Sequence, residues 1–270
     1  MRDVWKTAAL VVDVVIAFAV LLLIFPVFAL IAFVVAIESR GRVFYRAHRV
    51  GYRGRSVAVL KFTKMVDREG LPLTTDEDDR FTRVGRFLAK TKLDELPQLI
   101  NVVRGQMALV GPRPEDPQFV RLHPECYDSI LSVRPGITGV SQLAYASEST
   151  ILLDADPVTD YIVRVLPAKV ALDVQYATTK SIALDLRVLF WTVAAVVLRR
   201  DVAVNRRSLA MTLRQDRSRG RGQPPRSRYE SAGGPATDLG ILRDGLIGQA
   251  AGMHLSAGQA RHELGVLERS

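Results

Sequence analysis

The sequence predicts a mostly helical α+β fold, in which an N-terminal re-entrant membrane helix precedes a small domain with a β-hairpin and amphipathic interfacial helices. Residues 14–37 are uncharged and almost wholly apolar, short apolar runs around glycines occupy residues 41–60, and helical spacing of apolar residues recurs from residue 82 to residue 198. The formal net charge of +9 on 270 residues requires an anionic partner. Nucleic acid and an anionic membrane face are the usual choices.

The apolar run at residues 14–37 favours the membrane. As a straight helix it would reach about 36 Å, more than the roughly 30 Å of a hydrocarbon core. Pro26 lies at its midpoint, and its missing N–H predicts a kink between two arms of about 18 Å, each too short to span. Basic residues on both flanks favour two cytoplasmic ends, hence a helix that enters and leaves one leaflet, with a plain transmembrane helix as the alternative. They are Arg2, Lys6, Arg40, Arg42, Arg46, Arg49, Arg53 and Arg55.

A β-hairpin, or two short strands, is predicted after this helix. Residues 43–45 and 57–60 are short apolar runs, and residues 51–54 between them contain two glycines. Lys61 follows directly and would emerge at the end of a strand. Considered alone, Lys61 is better explained as a solvated lysine than as a binding residue.

Two adjacent carboxylates and a framed guanidinium give the clearest indication of chemistry. Asp94 and Glu95 lie in the segment at residues 91–102, and Arg113 follows between Pro112 and Pro114. An ionised carboxylate can attack an electrophile if cations neutralise the charge of that electrophile. Arginine grips phosphate oxygens two at a time, and flanking prolines restrict its backbone. These residues therefore indicate phosphoryl transfer.

On local grounds alone, a structural interpretation of the same carboxylates is favoured over a catalytic one. Residues 82–90 predict a short amphipathic helix with Val84, Phe87 and Leu88 on one face. A second helix is predicted to begin at Asp94 as its capping residue and to end at Gly105. Glu95 would then be a first-turn acid favoured by the helix dipole. The two interpretations are compatible, because a helix N-terminus also attracts phosphate.

The remaining segments predict further short elements and a tail. A helix is predicted at residues 182–198, and an interfacial helix and a buried core helix are equally good interpretations of it. The acidic segment at residues 76–79 is predicted to be an exposed loop, with a divalent-ion site as the minor alternative. The composition after residue 205 predicts a disordered basic tail, apart from a short helix near 239–246. The predicted domains are the membrane-inserted helix at residues 1–40, the membrane-associated domain at residues 41–204 and the basic tail at residues 205–270. Helices are also predicted at residues 115–122 and 160–176, and a shaped loop at residues 133–140.

Several site types lack their usual residues. Cys126 is the single cysteine, which excludes an internal disulfide, and the four histidines show no zinc-ligand spacing. The glycine motifs of dinucleotide and nucleoside triphosphate sites are missing from the sequence.

Taken together, the motifs resemble the bacterial sugar transferase family, the monotopic polyprenyl-phosphate phosphoglycosyl transferases that initiate exopolysaccharide, capsule and O-antigen assembly. The resemblance runs from about residue 4 to residue 197 through many ordered matches. The matching segments are residues 43–46, 49–51, 61–62, 79–88, 93–99, 111–114, 135–139, 166–169 and 181–186.

The resemblance implies a mechanism. Asp94 would attack the sugar-bearing phosphate of a nucleotide sugar, usually a uridine diphosphate sugar, with Mg²⁺ neutralising the diphosphate. Polyprenyl phosphate, expected to be undecaprenyl phosphate, would then take the phosphosugar from Asp94. Lys61 and Arg113 would hold phosphate oxygens, and Glu95 would assist as a base or, with Asp94, position the metal. The implied location is the bacterial inner membrane with the catalytic domain in the cytoplasm; no nucleic-acid partner is expected, and a homo-oligomer is left open.

Four positions depart from the family pattern. Ala89 and Thr63 stand where arginines are common, Ala47 replaces a common glutamine, and Phe25 replaces the serine that often precedes the proline. Fewer phosphate-binding cations make an inactive membrane-bound scaffold the main alternative function. A membrane-anchored nucleic-acid-binding protein, prompted by the arginine-rich tail, is the weaker one because the tail lacks interleaved aromatic residues.

Overall fold

The computed structural model describes residues 2–65, 80–146, 161–198 and 201–213. The chain divides into two units, residues 1–150 with 168–215 and residues 151–167 with 216–270. In the second unit the described part is a π-helical turn, Tyr161–Val165, and the two residues that follow it. The predicted acidic loop at 76–79, the tail beyond residue 213 and the short helix near 239–246 lie outside the described residues.

The first helix, α1 (Arg2–Glu38), is one α-helix with Pro26 inside it; the kink at Pro26 stays a prediction. Within the described part of the chain it is the helix long and apolar enough to cross a membrane, and only 6% of its most apolar window is buried. Leu23 is 81% exposed, although a core helix would bury it. This exposed apolar helix indicates a membrane-associated protein.

The second half of α1 packs on the rest of its unit. Val35, Phe62 and Leu88 form a buried cluster that also contacts Phe28. The Phe28 and Phe62 rings lie 5.0 Å apart between centroids, and Phe44 stacks on Phe62 at 5.6 Å. The membrane helix is therefore continuous with the core of the small domain.

The predicted hairpin is confirmed. Strands β1 (Phe44–Val50) and β2 (Ser56–Phe62) pair antiparallel, with Phe44 opposite Phe62 and Val50 opposite Ser56. The turn places Gly54 at φ +73°, a conformation that glycine adopts without strain. Lys61 lies next to the end of β2, as the sequence predicts.

Helix α2 (Arg83–Thr91) is also confirmed, with Thr82 as its N-cap residue. Leu88 is buried as predicted, but Phe87 is 60% exposed, so the prediction that it shares the packed face is wrong. Phe87 and Leu88 differ by about 100° around the helix, and the packed face of this short helix is narrower than the predicted one.

The helix predicted to begin at Asp94 begins later. Asp94 lies in a 3₁₀ turn (Leu93–Glu95), and α3 (Gln98–Val103) starts after Pro97, where no side chain caps it. The capping prediction for Asp94 is therefore wrong. The left-handed conformation of Lys92, at φ 59°, turns the chain before the 3₁₀ segment. Gly105, at φ 69°, follows the end of α3 as expected.

A small parallel pair replaces the predicted loop at residues 133–140. Strands β3 (Ala108–Val110) and β4 (Gly136–Thr138) pair in parallel, and α4 (Pro117–Val120) and α5 (Pro124–Ile130) connect them. Helix α6 (Val140–Ala144) follows.

Two longer helices and a hairpin complete the first unit. Helix α7 (Leu166–Thr179) begins in the second unit, and α8 (Ile182–Leu198) has the predicted bounds. Strands β5 (Val202–Val204) and β6 (Met211–Leu213) pair antiparallel. The predicted boundary between the catalytic domain and the tail, at residue 204, thus falls inside a hairpin.

Candidate active site

The 3₁₀ turn between α2 and α3 presents Asp94 and Glu95 on different sides. Asp94 is only 2% exposed, whereas the side chain of Glu95 is 17% exposed. A buried carboxylate is stable only with charged or hydrogen-bonding partners. The two acids pair with different cations.

Asp94 pairs with Lys64. The Lys64 Nζ lies 3.1 Å from Asp94 Oδ2, and the Lys64 side chain is 26% exposed. The Lys64 carbonyl oxygen accepts a 3.1 Å hydrogen bond from the Thr82 N–H, and a Cβ on Gly85 would lie 2.0 Å from the same oxygen. Gly85 therefore allows α2 to approach the backbone of Lys64 closely, which fixes the lysine beside Asp94.

Glu95 pairs with two cations through one oxygen. Its Oε1 lies 3.0 Å from Lys61 Nζ and 3.0 Å from Arg113 Nη2. Burial alone would raise the pKa of Glu95, but Lys61 and Arg113 hold that pKa well below its usual range. Burial also lowers the pKa of Lys61, and Glu95 opposes this effect. Glu95 is accordingly ionised at neutral pH.

Arg113 lies in a corner of the chain at residues 111–114, whose backbone is held by hydrogen bonds on both sides. Pro112 and Pro114 are buried, the Pro112 carbonyl accepts a 2.9 Å hydrogen bond from the Gly136 N–H, and the Val50 N–H bonds the Glu115 carbonyl at 3.0 Å. A Cβ on Gly111 would lie 2.3 Å from the Arg134 carbonyl oxygen, so glycine is required there. The two prolines therefore flank Arg113 as predicted, and backbone hydrogen bonds to β4 and to β1 also hold this corner.

A buried side-chain amide links the hairpin to α3, the helix that follows the Leu93–Glu95 turn. Asn101 on α3 is fully buried; its Oδ1 accepts a 3.0 Å hydrogen bond from the Leu60 N–H, and its Nδ2 donates to the Ala58 carbonyl at 2.9 Å. Because Leu60 precedes Lys61, Asn101 sets the distance between Lys61 and the segment that carries Glu95.

Lys61, Glu95 and Arg113, all predicted from the sequence, meet at one point, and Asp94 lies in the same turn. Pro26 lies in α1 and contributes no group to this cluster. Lys64 and Asn101 were missed. The signal for Lys64 was its position two residues beyond a strand end that already carries Lys61, whereas Asn101 has no local signal because its partners lie on another element.

The donor set fits Mg²⁺ in one specific sense. Among the described residues, no three metal-ligating side chains cluster together. The described ion pairs use Asp94 Oδ2 and Glu95 Oε1, and these leave Asp94 Oδ1 and Glu95 Oε2 for a ligand. Mg²⁺ in phosphoryl-transfer sites is commonly held by one or two carboxylates together with substrate phosphates. Asp94 and Glu95 supply the two carboxylates, and the remaining ligands of the ion would have to come from a phosphate-bearing ligand.

The cluster carries excess positive charge. Among the described ion pairs of the cluster, Lys61, Lys64 and Arg113 contribute three positive charges against the two negative charges of Asp94 and Glu95. A partly buried site with one net positive charge attracts anions. The fold and the site define a membrane-associated protein in which cations pair with two adjacent carboxylates, an arrangement suited to an anionic ligand.

Comparison with known proteins identifies the family of this chain. The profile of the bacterial sugar transferase family matches residues 4–199. The chain belongs to this family.

The chain covers different shares of the curated relatives that it matches. An undecaprenyl-phosphate glucose phosphotransferase of Komagataeibacter xylinus is 36% identical over 67% of this chain and 34% of its own length. A UDP-glucose:undecaprenyl-phosphate glucose-1-phosphate transferase of Escherichia coli K12 is 36% identical over 67% of this chain and 38% of its own length. The exopolysaccharide production protein ExoY of Rhizobium meliloti is 35% identical over 70% of this chain and 84% of its own length. The chain thus spans about a third of the first two relatives and most of the third.

Proposed function

We propose that this chain transfers a sugar 1-phosphate from a uridine diphosphate sugar to polyprenyl phosphate, specifically undecaprenyl phosphate. In the first step an Asp94 carboxylate oxygen attacks the sugar-bearing phosphorus, the bond from that phosphorus to the bridging oxygen breaks, and uridine monophosphate leaves. In the second step a phosphate oxygen of the lipid attacks the same phosphorus and the Asp94–phosphorus bond breaks. The product is a lipid-linked diphosphate sugar, and Asp94 is regenerated.

The observation that carries this proposal is the placement of Asp94. It is a buried carboxylate whose cation, Lys64, is partly exposed and 3.1 Å away. Lys64 can turn from Asp94 to an incoming phosphate oxygen, which would free the carboxylate for attack while keeping the anionic phosphorus neutralised.

The neighbouring cluster is suited to the diphosphate. Arg113 and Lys61 would hold its oxygens, and Glu95, itself fixed by both cations, would keep them oriented. We propose that Asp94 and Glu95 hold Mg²⁺ together with the diphosphate, where the ion would neutralise charge on the leaving group.

The substrates and the setting are supported by the relatives and by α1. Two relatives are named for undecaprenyl phosphate and glucose, and one of these also for UDP-glucose. We propose that the protein lies in the bacterial inner membrane with this site in the cytoplasm, and that α1 enters and leaves the cytoplasmic leaflet, because basic residues flank both ends of its apolar run. A soluble donor and a lipid acceptor would then meet at one surface.

The test is an assay of purified protein in detergent with Mg²⁺, undecaprenyl phosphate and a panel of uridine diphosphate sugars. We expect release of uridine monophosphate with at least one donor, complete loss in Asp94→Asn, and normal release in Asp128→Asn, an exposed aspartate on α5. Chelation of the metal should stop release.

Undiminished release by Asp94→Asn would contradict the assignment of the nucleophile. If the parent protein releases no nucleotide with any donor, the scaffold function favoured by Ala89 and Thr63 would replace this proposal.

A further inference from the structure

A cavity lined by polar and apolar side chains lies where α7, the start of α8 and the turn between β5 and β6 meet, and neither Asp94 nor Glu95 is among its lining residues. Its volume is about 260 Å³, below the roughly 300–1,000 Å³ of sites for drug-sized ligands. A small head group suits this size better than a whole substrate. The polar side chains that line it are Gln175, Thr179, Ser181, Arg187, Arg207 and Ser208.

Two arginines give the cavity its charge. Arg187 and Arg207 are exposed, and within the described part of the chain neither side chain has an acidic partner. Two other arginines of this unit are engaged, since Arg113 pairs with Glu95 and Arg206 donates to the Tyr145 hydroxyl at 2.9 Å. Two guanidinium groups without counter-ions on one cavity are a site for an anion that both can reach, and phosphate is the anion whose oxygens guanidinium fits best.

The backbone around Arg207 is held in place. Its carbonyl oxygen accepts a 2.8 Å hydrogen bond from Gln175 Nε2, and its N–H donates to Asn205 Oδ1 at 2.9 Å. The positive charge of the cavity comes from the two arginines and not from the N-terminus of α8. The Leu184 N–H at that N-terminus already donates to the Ser181 hydroxyl at 3.2 Å. The described residues that line the cavity include no acidic side chain.

The cavity opens at the start of an exposed apolar face. Ile182, Leu186, Phe190 and Val193 on α8 follow helical spacing and are each more than 60% exposed. Arg187 adjoins this face in sequence. A helix with such a face lies in the water–lipid interface, at the depth of phosphate head groups.

We propose that this cavity binds the phosphate of an anionic membrane phospholipid. The lipid that reacts has to bring its phosphate to Asp94, but the cavity shares no residue with β2, the Leu93–Glu95 turn or the Arg113 corner. The bound lipid is therefore a fixed anchor for α8, and its acyl chains lie along the apolar face. This inference is independent of the proposed transfer reaction.

The test uses the full protein in detergent, titrated with dihexanoyl phosphatidylglycerol, dihexanoyl phosphatidylcholine or inorganic phosphate, with the thermal melting midpoint as the readout. We expect a saturable rise with phosphatidylglycerol alone. The pair Arg187→Gln and Arg207→Gln should need roughly 30-fold more of that lipid or lose the response, because each of the two basic residues near an anionic lipid contributes about 1 kcal/mol and about 1.4 kcal/mol corresponds to tenfold in affinity. The matched pair Arg55→Gln and Arg121→Gln, two exposed arginines elsewhere, should respond like the parent.

Three results would overturn the proposal. An unchanged response in the first pair removes the two arginines from the site, and an equal loss in the matched pair shows a general charge effect. An equal response to phosphatidylcholine or to inorganic phosphate removes the anionic lipid. If the first pair does not fold, Arg187→Lys with Arg207→Lys replaces it; this pair keeps the charge, loses the bidentate fork, and should show a weakened response.

Discussion

Lys64 is the only described cation that forms an ion pair with Asp94, at 3.1 Å, and the carboxylate is almost completely buried. Removing one partner of a buried pair leaves a charge that neither water nor protein neutralises. In the proposed reaction Lys64 also faces the incoming phosphate. It therefore affects both the stability of the site and the transition state.

We expect Lys64→Met to lower kcat for nucleotide release by about 100-fold or more, the usual effect of removing one group that stabilises developing charge. Lys64→Arg keeps the positive charge and should recover part of the rate. Steady-state kinetics at saturating donor, with a thermal melt to confirm folding, make the measurement. Full activity in Lys64→Met would show that the pair with Asp94 plays no part in the chemistry.

Asp173 on α7 is a second buried carboxylate with a different environment. The Ser141 hydroxyl donates to its Oδ2 at 3.0 Å, while its Oδ1 has no hydrogen-bond partner. Burial raises the pKa of Asp173 from 3.8 to about 7, against the opposing effects of Ser141 and Lys169 and with a small reinforcement from Glu115. Below about pH 7 the folded protein therefore holds a proton at Asp173.

Stability should depend on pH through Asp173. Between its unfolded pKa of 3.8 and its folded pKa of about 7 the folded state holds a proton that the unfolded state has released, so the free energy of unfolding falls as pH rises. The stabilisation is complete below pH 3.8 and lost above about pH 7, a change of roughly 4 kcal/mol. Asp173→Asn should remove this fall, which thermal melts in detergent at pH 5 and pH 8 would detect. The exposed Asp128→Asn should keep the fall, and equal slopes in all three proteins would contradict the buried, protonated state.

At the scale of elements, α2 joins the membrane helix to the carboxylate pair. The Glu38 carboxylate at the end of α1 accepts from the Arg83 N–H at 3.0 Å and from the Val84 N–H at 3.2 Å, while Thr82 accepts from the Gly85 N–H. The first turn of α2 holds the Lys64 carbonyl, and its last turn leads into Asp94. Both members of the Lys64–Asp94 pair are therefore attached to one helix, whose start is fixed by α1.

Glu38→Ala should destabilise the protein by about 1 kcal/mol, the usual effect of losing a helix cap. If Glu38 positions the pair, kcat should also fall while KM for the donor changes little, and Glu38→Asp should restore part of kcat. Glu125→Ala, which removes an exposed first-turn acid of α5, is the control and should leave kcat unchanged. A loss of stability with unchanged kcat would limit Glu38 to a structural role.

Elements with a local pattern could be predicted from the sequence, and those made by distant pairing could not. The hairpin and α8 have alternation or helical spacing within their own residues. Strands β3 and β4 have three residues each and are separated by two short helices, so their pairing leaves no local trace. Asp94 met the local criteria for a cap, but it pairs with Lys64, thirty residues earlier in the chain.

At the scale of the molecule, the exposed apolar surfaces of α1 and α8 and the charged cluster belong to one unit of the chain. The sequence predicted the membrane helix from composition, and left α8 undecided between interface and core. Its exposed Ile182, Leu186 and Phe190 favour the interface. Membrane attachment thus involves the same structural unit that holds Asp94, which suits a reaction between a soluble donor and a lipid acceptor.

The most direct test is to mix stoichiometric protein with a uridine diphosphate sugar and Mg²⁺ in the absence of lipid, then quench, digest and analyse by mass spectrometry. The account predicts release of about one uridine monophosphate per active protein and a sugar-phosphate adduct on the peptide that contains Asp94. Addition of undecaprenyl phosphate should discharge the adduct. An adduct on another residue, or release that requires both substrates together, would contradict the account.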